Sequence, residues 1–461
     1  MTLVVPLHPT PDPLGTCVRF SGTPYLLFLD SSAQGSLSRY SFLAADPVAV
    51  ARTPDAARNL LRPHQLPAAH GVPPFQGGVA GYLSYDWGAD VEHVVRPPAD
   101  RFTPQLPDAV FALYDWVIAW DHLAKKSWII STGIGEGGQA RSDERAASRA
   151  RWVRERLTAP PPAIRDHPAP APATPRSNFE RTEFEAAVAR VRDYIAAGDV
   201  YQVNLAQRFH ARFAGSPLAL YRRLRARNPA PFGAFLEFAG ATIASISPER
   251  FLRLDAGTRQ AEARPIKGTR PRGITPDTDV ALARELALSE KDRAENVMIV
   301  DLLRNDLGKV CRTGSVEVPT LFALESHPTV HHLVSTVTGV LRDGADGFDL
   351  LRAAFPGGSI TGAPKLRAME IIAELERAPR GVYCGAIGYV STTGAMDFNI
   401  PIRTIVLHDE NATFHAGAGI VWDSEPAAEY QETLVKAQTM IEALTSPRRM
   451  RRTHGRAHPV V

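Results

Sequence analysis

Between Pro160 and Pro175 the chain places seven prolines among alanines, and no regular element can run through that stretch. Proline lacks the backbone donor that helices and sheet ladders use, and its ring fixes φ. The segment reads as a semi-extended linker, so whatever folds is assembled from the residues on either side. On this reading residues 1–159 form one region, 160–176 the linker, 177–446 a second region and 447–461 a basic tail. Before the linker, short apolar runs alternate with turn residues. Tyr25–Leu29, Tyr40–Leu43, Gly78–Tyr85 and Val110–Trp120 have the character of strands, and Ser142–Leu157 that of a polar helix. After it, Ser177 with Glu180 and Thr182 with Glu185 are successive capping-box patterns. Phe184, Val188, Val191 and Ile195 share one helical face, and Gly198 suits the position just past the helix end. Val200–Ala211, Ala386–Ser391 and Ile400–Leu407 are strand-like, and no period marks a repeat protein. This alternation over 461 residues points to an α/β or α+β protein with large sheets.

Charge and composition remove several classes of function. A net charge of +3 on a mixed-sign surface leaves no footprint for nucleic acid or an anionic membrane. Apolar runs such as Tyr25–Leu29 are far too short to span a bilayer, and Met1–Thr10 lacks the basic start and apolar stretch of a secretory signal. Cys17, Cys311 and Cys384 are widely spaced and lack metal-site spacing, so they read as reduced thiols of a cytoplasmic protein. Arg448, Arg449, Arg451 and Arg452 fall in a tail with Gly and Pro, which reads as solvated and frayed.

Basic surface comes almost wholly from arginine, with 45 arginines against seven lysines. Lys267, in Arg264-Pro265-Ile266-Lys267-Gly268-Thr269, is therefore out of keeping with a solubilising role. A buried lysine, unlike arginine, can shed its proton and act as a nucleophile; a lysine snorkelling from a turn is the plain alternative. Asp292 with Glu295, and Glu429 with Glu432, lie three residues apart in helix-like segments, so each pair shares a face. Two such faces turned on each other repel unless a cation sits between them. Mg²⁺ takes one or two carboxylates plus waters and a substrate oxygen; solvated helix faces would carry the same pattern. The stretch from Gly357 to Lys365 misses the phosphate-loop pattern, because Ala363-Pro364 precede the lysine and Leu366 follows it. It leaves a tight turn opening a helix over Lys365–Glu376, with Thr361 free to hydrogen-bond. Gly417-Ala418-Gly419 would let backbone amides approach an anion, and Arg403 has the fork for a carboxylate or for a structural salt bridge. His331 and His332 are adjacent, so on a strand they point to opposite faces.

Together these stretches resemble the chorismate-utilising enzymes. That family carries a Pro-Ile-x-Gly-Thr signature, matched by Pro265–Thr269; lysine at x resembles its aminodeoxychorismate synthase branch, whereas anthranilate synthases have alanine. The resemblance continues through Tyr194–Phe209, Ser247–Phe251, Lys291–Leu302, Phe355–Lys365 and Glu429–Thr433, dense from 178 to about 445 and looser before. It implies an α+β fold, a large two-sheet β-sandwich with helices packed outside and the N-terminal part wrapped around the catalytic part. It implies Mg²⁺ on Glu295 and Glu432, with Asp292 and Glu429 holding outer waters. Lys267 would attack C2 of chorismate while Glu249 protonates the departing C4 hydroxyl beside His332. Thr361, Tyr389, Arg403, Gly417, Ala418, Gly419, Lys436, Gly268, Thr269 and Gln202 would surround the dianionic substrate. Gln202 stands where water-adding relatives carry a lysine.

The implied reaction is an amino-group transfer from ammonia to chorismate, giving 4-amino-4-deoxychorismate for p-aminobenzoate and folate. No cysteine lies in a Gly-rich nucleophile turn with a His-x-Glu partner, which implies a separate glutamine amidotransferase subunit and a chain that is a monomer or half of a heterodimer. Leu29-Asp30-Ser31 with Ser38-Arg39-Tyr40 resembles a region that holds tryptophan in relatives, making Asp30, Ser31, Ser38, Arg39 and Tyr40 a candidate tryptophan site. Two alternatives stand beside this reading. Anthranilate synthase is disfavoured by Lys267, and a non-catalytic regulatory subunit by the intact set Glu249, Lys267, Glu295, His332 and Glu432.

Overall fold

The computed structural model describes residues 2–136, 140–162, 174–238, 240–326 and 330–445. Most of the linker and the basic tail thus lie outside the described residues. Two antiparallel sheets dominate, one of 12 strands and one of 10. The first runs from the Leu3–Pro6 strand at one edge to Gln202–Arg212 and Gly362–Ala363 at the other; the second runs from Ile266–Pro271 to Ala49–Ala51. The sheets stack face to face over a core that includes Leu27, Phe42 and Val406 from the first and Ala80, Tyr82 and Ile387 from the second. Helices cover both outer faces. Arg181–Ala196, Pro217–Arg227 and Pro426–Thr445 pack on the first sheet, and Glu290–Gly308 and Gly347–Ala354 on the second. The fold is α+β, a helix-covered sandwich.

Both sheets mix strands from before and after the linker. In the first, Leu26–Asp30 pairs with Phe232–Phe238; in the second, Gly78–Leu83 pairs with Ala386–Ser391. The linker's own end joins in, since Arg176–Ser177 pairs with Phe209 and His210. Gly78–Leu83 and Ala109–Tyr114 are buried on both faces, which is why they read as unbroken apolar runs rather than alternating ones.

Three local expectations need correcting. Val110–Trp120 is not one strand. Ala109–Tyr114 belongs to the second sheet and Trp116–Asp121 to the first, and the chain crosses between them at Asp115. Its buried carboxylate is held by Arg149 at 3.2 Å and its carbonyl accepts from Thr132. The first long helix after the linker starts at Arg181 with Glu180 as its cap, the Glu183 carboxylate accepting from the Glu180 N–H at 2.9 Å. Ser177 instead donates to Gln207, so neither expected box forms. Finally, the run from Ile400 becomes a strand only at Thr404, because Arg403 adopts a left-handed φ of 52°. Gly198, at φ 82°, does end its helix as expected.

Candidate active site

A cavity of about 600 Å³ opens where the Gln202–Arg212 and Asn411–Ile420 strands meet the Ile266–Pro271 edge strand and two helices. That size suits a small organic substrate. Lys267 reaches it through a backbone irregularity. Pairing with Val330–Val340 slips between Ile266 and Thr269, and Gly268 sits in the slip at φ 82°. A Cβ at Gly268 would lie 2.7 Å from Leu286 and 2.8 Å from the Asp292 carboxyl carbon, so only glycine fits. The bulge sends Lys267 into the cavity, where its amine lies 3.4 Å from the Ser359 carbonyl. Burial pulls its pKa below the ordinary lysine value, partly offset by Glu295 and Glu249.

Glu249 follows the Ala241–Ser247 strand and is almost fully buried. Its carboxyl accepts from the Ser359 hydroxyl at 2.7 Å. Burial raises its pKa against the pull of Ser359, Lys267 and Lys436, favouring the protonated acid. His332 lines the same cavity with its Nδ1 2.9 Å from Thr269 Oγ1, while His331 turns the other way, to Ser326 and Asp279. The strand alternation read from the sequence holds.

The helices Glu290–Gly308 and Pro426–Thr445 bring Asp292, Glu295, Glu429 and Glu432 to one side of the cavity. Burial raises the pKa of Glu295, and the neighbouring Asp292 and Glu432 charges push it the same way. Burial also raises that of Glu429, whose carboxylate accepts from Ser424 at 2.6 Å. Glu432 pairs with Lys436 at 2.6 Å and Asp292 with Arg270 at 3.2 Å. Among the described residues no three His, Cys, Asp or Glu side chains converge into a ready-made cage. Crowded carboxylates on two facing helices nevertheless fit a hard cation that completes its shell with water and substrate oxygen.

Arg403 also lines the cavity. Burial lowers its pKa, and no acid among the described residues offsets that shift. A half-buried cation with no counter-charge close by is costly, and its left-handed backbone adds strain. Both costs make sense if an anion completes the site. Gly417 and Gly419 face the cavity from the Asn411–Ile420 strand, and Lys436 donates to the Gly417 carbonyl at 3.0 Å. Gln202 is buried on the adjoining strand beside Lys267.

Three of the expected residues do not meet at this cavity in the expected way. Ala418 alternates to the opposite face of its strand and packs with Phe184 and Val188. Thr361 is buried, its hydroxyl donating to the Gly357 carbonyl at 3.0 Å within its own turn. Tyr389 faces the space between the sheets, stacked on Phe75 at 4.5 Å, and lines a second cavity of about 320 Å³. That second cavity also holds Asp30, Ser31, Arg39 and Tyr40 in its wall, with Ser38 buried outside it. The Asp30 carboxylate is fully taken by Arg225 at 2.6 Å and Tyr221 at 2.9 Å, so it presents no charge to the cavity. In Tyr389's place the active cavity has Tyr383, stacked 5.0 Å from His415. Ser359, Tyr383, His415 and Asn204 escaped the sequence reading. Alternation from Gly417 and Gly419 to residue 415, and from Gln202 to Asn204, would have found two of them. The Gly-rich turn poses no phosphate site, since Lys365 is spent on Asp306 at 2.7 Å and the Ala354 carbonyl at 2.9 Å.

Residues 26–442 match the family described as chorismate binding enzyme. Aminodeoxychorismate synthase component 1 of Klebsiella aerogenes is 45% identical over 404 residues, 87% of this chain and 84% of that one. Anthranilate synthase component 1 of Streptomyces coelicolor is 40% identical over 460 residues, 96% of this chain and 89% of that one. Among solved structures, anthranilate synthase component I from Streptococcus pneumoniae superimposes with a TM-score of 0.76 at 35% identity, covering 88% of this chain and 93% of that one. The chain belongs to the chorismate-binding enzymes.

Proposed function

We propose that the protein is the chorismate-aminating component of an aminodeoxychorismate synthase, converting chorismate and ammonia to 4-amino-4-deoxychorismate. The observation that carries this reading is Lys267, delivered by the Gly268 bulge into the same cavity as a buried Glu249 and a half-buried Arg403 with no counter-charge among the described residues. Neutral Lys267 attacks C2 of the ring. The two ring double bonds shift, the C4–O bond breaks, and the Glu249 proton leaves with the hydroxyl as water. Ammonia then adds at C4, the double bonds shift back and the C2–N bond to Lys267 breaks. Arg403 and the Gly417 and Gly419 backbone supply hydrogen bonds and positive potential for carboxylate groups. Glu295 and Glu432 would hold Mg²⁺, with Asp292 and Glu429 orienting its waters. When bound, the ion would neutralise a substrate carboxylate against these acids.

Ammonia would come from a glutamine amidotransferase partner. The relatives' designation as component 1 is consistent with a partner subunit. No helix among the described residues is long and apolar enough to cross a membrane. The second cavity, walled by Phe42, Phe232 and Tyr389 with Arg253 and Glu262 at its side, suits an aromatic amino acid such as tryptophan, though without a contribution from the Asp30 carboxylate. Mass spectrometry of products from chorismate, Mg²⁺ and an ammonium salt tests the main reading. Aminodeoxychorismate supports it; anthranilate with pyruvate as the principal products would assign the protein to the other branch.

A further inference from the structure

The turn that the sequence offers as a phosphate loop has a different use. Its Gly358–Ile360 segment is a short 3-10 helix pinned at both ends. Thr361 donates to the Gly357 carbonyl at 3.0 Å, and buried Arg380 donates to the Ile360 carbonyl at 2.8 Å. Gly358 is wedged so tightly that a Cβ would lie 2.5 Å from Leu302. Ser359, between these anchors, touches both groups assigned to bond making and breaking. Its hydroxyl donates to Glu249 Oε1 at 2.7 Å, and its carbonyl accepts from the Lys267 amine at 3.4 Å. Glu249 is anchored through its backbone as well, donating to Ser247 Oγ at 3.2 Å and accepting from Ile400 at 3.1 Å.

We propose that Ser359 is the positioning residue of this site, fixing which oxygen of Glu249 carries the transferable proton while holding Lys267 at a set distance from it. A neutral carboxyl bears its proton on one oxygen only. An oxygen that already accepts the Ser359 hydroxyl is the carbonyl oxygen, so the proton resides on Oε2, the oxygen not engaged by Ser359. Without that bond the carboxyl can rotate or exchange its two oxygens, and only part of the population presents the acid. The same residue's carbonyl gives the lysine a fixed acceptor, so the nucleophile and the proton donor are registered on one rigid turn. This inference deepens the proposed function and rests on Glu249 being the proton donor.

The test compares Ser359→Ala and Ser359→Thr with the wild type, using chorismate, Mg²⁺ and an ammonium salt across a range of pH. Glu249 is faced by Lys267 from its strand, Lys436 from the long C-terminal helix, Cys384 nearby and Ser359 itself. Of these, only the Ser359 bond is removed by the alanine variant. General-acid groups contribute about 10²–10⁴-fold to rate, so losing their positioning is expected to lower kcat about 10- to 100-fold with KM for chorismate changed less than about threefold. The Ser359 hydrogen bond pulls the Glu249 pKa down. Its loss therefore raises that pKa and moves the limb of the pH profile that Glu249 governs to higher pH. Ser359→Thr, which keeps a hydroxyl at the same atom, is expected to restore both rate and profile. An alanine variant with unchanged kcat and a superimposable profile overturns the proposal. So does a variant whose thermal unfolding is unchanged but whose loss is not rescued by threonine. A wild type that makes no aminated product from chorismate overturns the functional reading instead, so the two failures are told apart.

Discussion

The amine of Lys267 is pulled two ways: desolvation strips its proton, while Glu295 and Glu249 return part of its stability as a cation. Desolvation prevails, so the pKa lies below the ordinary value of about 10.4. A nucleophilic lysine must be neutral, so activity should rise with pH through the Lys267 pKa, at lower pH than a solvent-exposed lysine would allow. Glu249 must be protonated, so activity should fall as pH passes its raised pKa. A bell-shaped profile of kcat/KM follows, and a profile still climbing through pH 10 would remove Lys267 from the nucleophile's role. Lys267→Ala should slow aminodeoxychorismate formation by at least about 100-fold and divert some substrate to a C2-aminated product, resolved by chromatography and mass spectrometry. Lys267 stood out in the sequence because lysine is scarce here. Ser359 did not, because a serine in a Gly-rich turn has an ordinary local reason to be there and its partners lie 92 and 110 residues away.

At the scale of elements, the bulge in Ile266–Pro271 and the pair of acidic helices carry the site. Gly268→Ala places a Cβ against Leu286 and Asp292 at a left-handed φ. Such strain costs on the order of 1–3 kcal/mol, so a lower melting temperature is expected together with a kcat loss out of proportion to it, because Lys267 is re-aimed. A melting shift with full kcat would show that the bulge is not what positions the lysine. Glu295→Ala and Glu432→Ala should each abolish Mg²⁺-dependent turnover; an Mg²⁺ titration giving the wild-type midpoint in either variant would exclude that carboxylate as a ligand. The i, i+3 spacing made these acids legible, as alternation did His332. Tyr389 was misplaced because two tyrosines, 383 and 389, sit on either side of one strand start. One-dimensional spacing does not say which enters the cavity. Thr361 failed for a different reason, since its hydroxyl closes its own turn.

Across the whole molecule, the regions on either side of the linker are one folding unit. Arg208, buried on a C-terminal strand, reaches Asp100 at 2.5 Å, and Phe102 stacks on His210 at 3.8 Å. The Arg208 pairing takes the Asp100 carboxyl down to about 2. A depressed acid contributes stability above its unfolded pKa of about 3.9 that is lost as pH falls through the folded value. The melting gap between wild type and Asp100→Asn should therefore be open at neutral pH and narrow as pH falls from about 4 towards about 2; a gap independent of pH would mean the pair is not what holds this segment. Cutting an engineered protease site in the linker should leave two fragments that co-purify and melt in one transition. Fragments that separate would show that the shared sheets do not bind the halves. The sequence shows the apolar runs but not which sheet each joins, because a strand buried on both faces has no polar side to give its register away.

The shared sheets also set a clock. Gly78–Leu83 is synthesised early, yet its partner Ala386–Ser391 follows about 300 residues later. At roughly 5–20 residues per second, that interval is on the order of 15–60 s. Through all of it, strands with apolar side chains on both faces wait without their neighbours on a growing chain. Such long-range pairing folds slowly and exposes sticky edges. Yield in the cell should accordingly depend on chaperone capacity during translation more than on the stability of the finished protein.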